Sequence, residues 1–237
     1  MQLDLIKPPS IIRRIIERYK AGYSPIILFC GKPRTSKTTK AYLMMHWIHW
    51  LLFNKPWDWR ASTPVTFEQL IRTLEDPNTP IKFTDEVQRL LSKGDALKRE
   101  SKMWGKITTS QAYLHYIFAM ILVKASTLAS EHAAMVDFVI YVKSRRQILP
   151  YKLDNNMWDI DLKRHEKSRK IYLSHFNLDI KDPIIKKAFA DELKDLPEFK
   201  KYIEVNIKEK IMDDIKEEIG LKEVQLPNPI KINDDFF

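Results

Sequence analysis

The stretch Pro25-Ile26-Ile27-Leu28-Phe29-Cys30-Gly31-Lys32-Pro33-Arg34-Thr35-Ser36-Lys37-Thr38-Thr39 sets an unbroken apolar run against a polar loop. The run shows no alternation, which predicts a short strand buried on both faces of a parallel sheet. Gly31 to Ser36 breaks it. From Lys37 to about Phe53 the residues are rich in Leu, Met and Trp and read as a helix that stops near Asn54-Lys55-Pro56. The order is therefore strand, glycine-led loop, helix.

That order suits a loop that binds phosphate. Such a loop needs backbone amides turned inward around an anion, a lysine reaching the β- and γ-oxygens, a hydroxyl for Mg²⁺, and a helix N-terminus facing the charge. Gly31, Lys37 and Thr38 fill those places, Thr39 is placed to donate to the α-phosphate, and Lys32, Pro33, Arg34, Thr35 and Ser36 form the body of the loop. Ser36 departs from the usual pattern, which has glycine before the lysine. The motif is thus a relaxed one, and its position between an apolar strand and an apolar helix is what gives it weight.

A second strand is expected at Pro80-Ile81-Lys82-Phe83-Thr84, running into Asp85-Glu86. An acid at the end of a strand beside the loop strand can hold Mg²⁺, and the adjacent Glu86 can polarise an attacking water. The same acids would also suit a helix N-terminus, where carboxylates compensate the dipole. Lys82 is unusual in a buried strand and suggests an edge position or a snorkelling side chain. Lys124-Ala125-Ser126-Thr127 follows a third apolar run, and Ser126 is the candidate polar group near a terminal phosphate.

Outward from these motifs, Ser10 is expected to cap an amphipathic helix with apolar residues at 11, 12, 15, 16 and 19. Residues 54–66 read as loop with a short strand, and Phe67 to Leu74 as a helix capped by Thr66. Helices are expected at 86–91, 103–119 and 129–136, and strands at 120–123 and 138–142. These alternating units predict an α/β fold with a mainly parallel central sheet flanked by helices. Beyond Arg146 the pattern changes to an edge hairpin, 148–153 with 171–176, then helices at 183–193 and 199–219. The expected division is a nucleotide-binding core at 1–146, a small α+β extension at 147–225 and a polar tail at 226–237.

Whole-chain properties narrow the function classes. The 237 residues carry 44% hydrophobic and 30% charged residues, which suits a packed globular core. Neither apolar stretch, 41–53 or 113–123, reaches the roughly 20 residues that cross a bilayer, and the N-terminal residues do not read as a signal peptide, so a cytoplasmic protein is expected. The single Cys30 precludes an intramolecular disulfide and reads as a buried thiol. His46 and His49 are expected to pack among Trp47 and Trp50 rather than bind metal. Of the net charge of +9, residues 1–150 hold 23 Lys+Arg against 12 Asp+Glu, and residues 151–237 hold 17 against 19. A basic excess in the first part favours a polyanionic partner such as DNA.

With Gly31-x5-Lys37-Thr38-Thr39, the helix Phe67-Glu68-Gln69-Leu70-Ile71, Asp85-Glu86, Ile121-Leu122-Val123 and Asp137-Phe138-Val139-Ile140-Tyr141-Val142 in this order, the chain resembles the additional-strand P-loop ATPases of the HerA/FtsK superfamily. The resemblance covers about residues 10–145 and is strongest to the small archaeal viral and plasmid, Zot-like and genome-packaging branches. It implies ATP and Mg²⁺ as cofactors, Thr38 and Asp85 on the metal, Glu86 as the catalytic base, and ATP-driven movement of DNA through a ring, often a hexamer. In a host cell a viral member would work in the cytoplasm. An arginine acting in trans is part of such rings, with Arg89, Arg99, Arg145 and Arg146 as candidates. An AAA+ type initiator or helicase loader shares the Asp-Glu pair. A small-molecule kinase and an assembly switch without turnover are the remaining alternatives.

Overall fold

Seven strands among the described residues form a single sheet in the order β2-β3-β1-β4-β5-β6, with β7 also paired to β5. The strands are β1 (Ile26–Cys30), β2 (Ile81–Thr84), β3 (Ile117–Ile121), β4 (Phe138–Val142), β5 (Gln147–Asp154), β6 (Arg169–Tyr172) and β7 (Phe176–Asn177). The helices are α1 (Ser10–Lys20), α2 (Lys37–Phe53), α3 (Trp59–Ser62), α4 (Phe67–Glu75), α5 (Pro183–Ala188) and α6 (Ala190–Glu218). The computed structural model describes residues 6–64, 67–76, 78–85, 115–123, 135–154 and 169–218.

The sheet is parallel from β2 to β4 and antiparallel beyond it. All five residues of β1 are buried, as an apolar run without alternation requires when helices cover both faces. Ile27 and Phe29 point into one core with Ile81, Phe83, Ala119, Ile121 and Ile140, beneath α1, α2, α5 and α6. Ile26 and Leu28 point into the other core, with Phe118, Met120 and Leu70 of α4. Successive strand residues alternate faces, so one short strand supplies both cores.

Every residue of α2 from Thr39 to His49 is buried, the condition of a helix that is apolar on all sides. Asn54 ends it in the left-handed region at φ 53°, its amide donating to Trp50 O. The His pair lies in aromatic surroundings other than those expected. His46 meets the rings of Tyr42 and Trp57 at centroid distances of 4.5 and 5.2 Å, and burial lowers its pKa to about 3, so it stays neutral. His49 Nδ1 is 2.9 Å from Lys55 O. Cys30 is buried, as expected.

Several sequence expectations need correction. Ser10 is the first residue of α1 rather than its cap. The extended backbone of Pro9, at φ −57° and ψ 155°, occupies the cap position. Residues 59–62 form α3 instead of strand or loop, because the Asp58 carboxylate accepts from the Arg60 and Ala61 amides. The expected helix over 103–119 does not extend to Ala119, since β3 starts at Ile117, and β3 ends at Ile121 rather than Val123. Its register is set by neighbours on both sides, Phe118 opposite Ile26 and Ile117 opposite Ile81. The final helices break at Phe189, not between 193 and 199, and Pro197 lies within α6. The expected helices at 86–91 and 103–114, most of 129–136, the Thr66 cap and the tail at 226–237 fall outside the described residues.

Lys82 explains itself through its partners. β2 is the terminal strand of the described sheet, yet Lys82 has no exposed surface. Its Nζ donates to Thr73 O in the last turn of α4 and to Thr79 Oγ1, and lies 4.5 Å from the Tyr116 ring centroid. A cation at a helix C-terminus satisfies carbonyls that the helix leaves open. Burial lowers its pKa to about 8, opposed by the charge of Asp76.

Candidate nucleotide site

The loop between β1 and α2 is held by its own backbone and side chains. Gly31 has φ 148°, and a Cβ there would stand 2.4 Å from Val142 O of β4. Only glycine lets β1 and β4 run on this closely as the chain turns. Arg34 and Ser36 have φ of 61° and 65°, a left-handed conformation that costs a residue with a Cβ roughly 1–2 kcal/mol. The residue that departs from the usual glycine therefore adopts the backbone that glycine favours. Thr35 Oγ1 donates to Lys32 O at 2.8 Å, closing the loop locally. No side chain caps α2 and no acid lies in its first turn, so its N-terminal dipole faces the loop uncompensated by a carboxylate of its own.

Lys37 Nζ donates to Gly31 O at 3.1 Å and to Lys32 O at 3.0 Å. The ammonium is folded back across the loop it leaves. Thr38 Oγ1 donates to Asp85 Oδ2 at 2.8 Å, across 47 residues of sequence. Asp85 follows β2, which is not beside the loop strand: β3 lies between them. The carboxylate nevertheless reaches the first turn of α2.

A cavity of about 690 Å³ opens over these groups, within the range of small-ligand sites. Pro33, Arg34, Ser36, Lys37, Thr38, Thr39 and Asp85 line it, as do Ile121, Leu122 and Val123 at the end of β3. Gly31, Lys32 and Thr35 are not among its lining residues and act on the loop's shape. Arg145, in the β4–β5 turn, and Lys200, Ile203, Glu204 and Lys208 of α6 complete the wall. The α6 residues were not foreseen. The sequence places Lys200, Glu204 and Lys208 at helical spacing, but nothing local says which face of α6 meets the loop. Glu86 and Ser126, and with them Arg89 and Arg99, lie outside the described residues. Arg146 pairs with Asp179 at 3.2 Å.

No protein-family model matches the chain, and no curated protein does. Among solved structures it is similar to the N-terminal domain of zonular occludens toxin from Neisseria meningitidis, with 12% identity over 70% of this chain and 98% of that one, at a TM-score of 0.42. It is also similar to the genome packaging NTPase B204 from Sulfolobus turreted icosahedral virus 2. The complex with ATP-gammaS has 10% identity over 64% of this chain and 97% of that one, and the complex with AMP has 9% over the same shares, both at a TM-score of 0.42.

Thr38 and Asp85 offer a hydroxyl and a carboxylate, hard oxygen donors of the kind Mg²⁺ takes alongside phosphate and water. Among the described residues no group of three or more His, Cys, Asp or Glu could hold a metal by itself. The two oxygen donors fit an ion that also takes phosphate and water oxygens. No helix among the described residues is long and apolar enough to cross a membrane.

Proposed function

We propose that this chain binds ATP with Mg²⁺ at the β1–α2 loop, hydrolyses it, and couples the hydrolysis to movement or packaging of DNA. The observation that carries the reading is the 2.8 Å hydrogen bond from Thr38 to Asp85 beside Lys37. It joins a hydroxyl after the loop lysine to an acid after a second strand, at the mouth of a cavity large enough for a nucleotide. Ligands of open α/β sheets bind outside the carboxyl ends of the strands, and all these groups lie there.

In this mechanism Lys37 exchanges the carbonyls of Gly31 and Lys32 for β- and γ-phosphate oxygens. The dipole of α2 and the loop amides hold the β-phosphate, and Thr39 serves the α-phosphate. Thr38 and Asp85 would hold Mg²⁺, which neutralises charge on the transferred phosphate. Glu86, next to Asp85, orients the attacking water and accepts its proton. Ile121, Leu122 and Val123 give an apolar lining that limits water near the phosphates.

DNA coupling rests on charge. The surplus of residues 1–150 suits a polyanion, and a ring of copies around DNA is the arrangement that the resemblance implies. ATP turnover measured with and without double-stranded DNA over a range of salt is the test, since phosphate contacts weaken steeply with ionic strength. Stimulation that fades with salt is expected. Turnover indifferent to DNA at every salt concentration would leave an ATPase without the motor, and Glu86→Gln that turns over ATP like the unaltered chain would remove the assigned base.

A further inference from the structure

The cavity over the loop is lined by further charged residues that the loop chemistry does not use. Among the described residues Arg145 and Lys200 form no ion pair, and both line this cavity together with Lys37. Glu204 lines it as well, but its carboxylate is bridged by Lys208 at 2.7 Å, which leaves the wall positive.

The backbone that carries each cation is held by its neighbours. In α6, Leu196, Phe199 and Ile203 are buried at helical spacing, and the Phe199 ring lies 4.5 Å from Tyr42 of α2, 5.2 Å from Trp59 and 5.5 Å from Phe83 of β2. Tyr42 also donates to Glu192 O at 3.1 Å. The residue after Phe199 must therefore stand beside the buried stripe, at the cavity wall. Arg145 sits in a turn closed by Ser144, whose Oγ accepts from the amides of Arg146 and Gln147 at 3.2 and 3.0 Å.

We propose that α6 and the β4–β5 turn complete the nucleotide site in cis, with Lys200 and Arg145 binding the terminal phosphates alongside the loop lysine. This rests on the reading of the loop as an ATP site. The C-terminal helix is then part of the nucleotide pocket. Without a triphosphate the two cations face each other's field and that of Lys37, and a bound triphosphate relieves that repulsion. A chain of this kind distinguishes ATP from AMP through its own C-terminal region, before any second copy contributes.

The test is equilibrium binding of ATP and of AMP to the full chain, with Lys200→Gln, Arg145→Gln and the charge-keeping Lys200→Arg. Loss of one charge-assisted contact should weaken ATP about tenfold for each Gln variant, leave AMP unchanged, and be largely restored in Lys200→Arg. Equal weakening of ATP and AMP would overturn the assignment to the terminal phosphates, as would Gln variants that bind ATP like the unaltered chain. If the unaltered chain binds neither nucleotide, the loop reading itself fails and this inference with it.

Discussion

At the amino ends of the parallel strands β1 and β4 the charges are paired, whereas at the carboxyl ends cations outnumber acids. Below β1 and β4, Asp137 accepts from the Ile26 amide at 2.9 Å and pairs with Arg18 of α1 at 2.6 Å. One carboxylate ties α1 to the start of two strands. Above the same strands, three loop residues have positive φ and the cations Arg34, Lys37, Arg145, Lys200 and Lys208 share a cavity with two acids, Asp85 and Glu204. Excess positive charge is gathered at one end of the sheet. Such an imbalance suits a site completed by an anion.

Breaking the crowded end should have the largest effect. Gly31→Ala would drive a methyl into Val142 O, and we expect a loss of about 3 kcal/mol in chemical unfolding together with loss of ATP binding. An unaltered unfolding midpoint would show that β1 and β4 do not approach this closely. Breaking the matched end comes next. Asp137→Ala leaves Arg18 and the Ile26 amide without their partner, and should cost roughly 2 kcal/mol while ATP affinity, measured by calorimetry, changes little. A comparable fall in affinity would mean that the two ends are not separable.

Smaller effects sharpen the contrast. Ser36→Gly removes a Cβ from a left-handed residue and should raise stability by ~1 kcal/mol, read as a higher unfolding midpoint. No gain would place the strain elsewhere. The last effect is one of pH and concerns Lys82, which has no exposed surface. Its folded pKa of about 8 lies below the value of the unfolded chain, so between pH 8 and 10 the unfolded chain binds more protons and stability rises with pH. Lys40, also lowered to about 8 by burial, acts in the same direction. Lys82→Met should flatten this rise, and an unchanged slope of stability against pH would show that Lys82 is not desolvated.

The matched and crowded ends were not equally legible in the sequence. β1, the loop and α2 could be read because Pro25 to Phe53 changes from an unbroken apolar run to a helical pattern at one glycine. Asp85 could be read as an acid closing a strand, although β3, intervening between β2 and β1, could not. The run from Tyr113 to Val123 is apolar throughout, so periodicity gives no boundary, and only pairing with β1 and β2 fixes β3 at 117–121. The Asp58 cap of α3 is a local signal within the sequence. Asp137 bonds to Ile26 across 111 residues, and Lys200 lines the same cavity as the loop from far along the chain; no local pattern encodes either.

The central claim is that Lys37, Thr38 and Asp85 form one nucleotide site. Calorimetric titration of ATP with Mg²⁺ into the unaltered chain and into Lys37→Ala tests it most directly. The account predicts saturable binding by the unaltered chain and affinity about a hundredfold weaker in Lys37→Ala, with the unfolding midpoint retained. Equal ATP affinity in the two chains would contradict it.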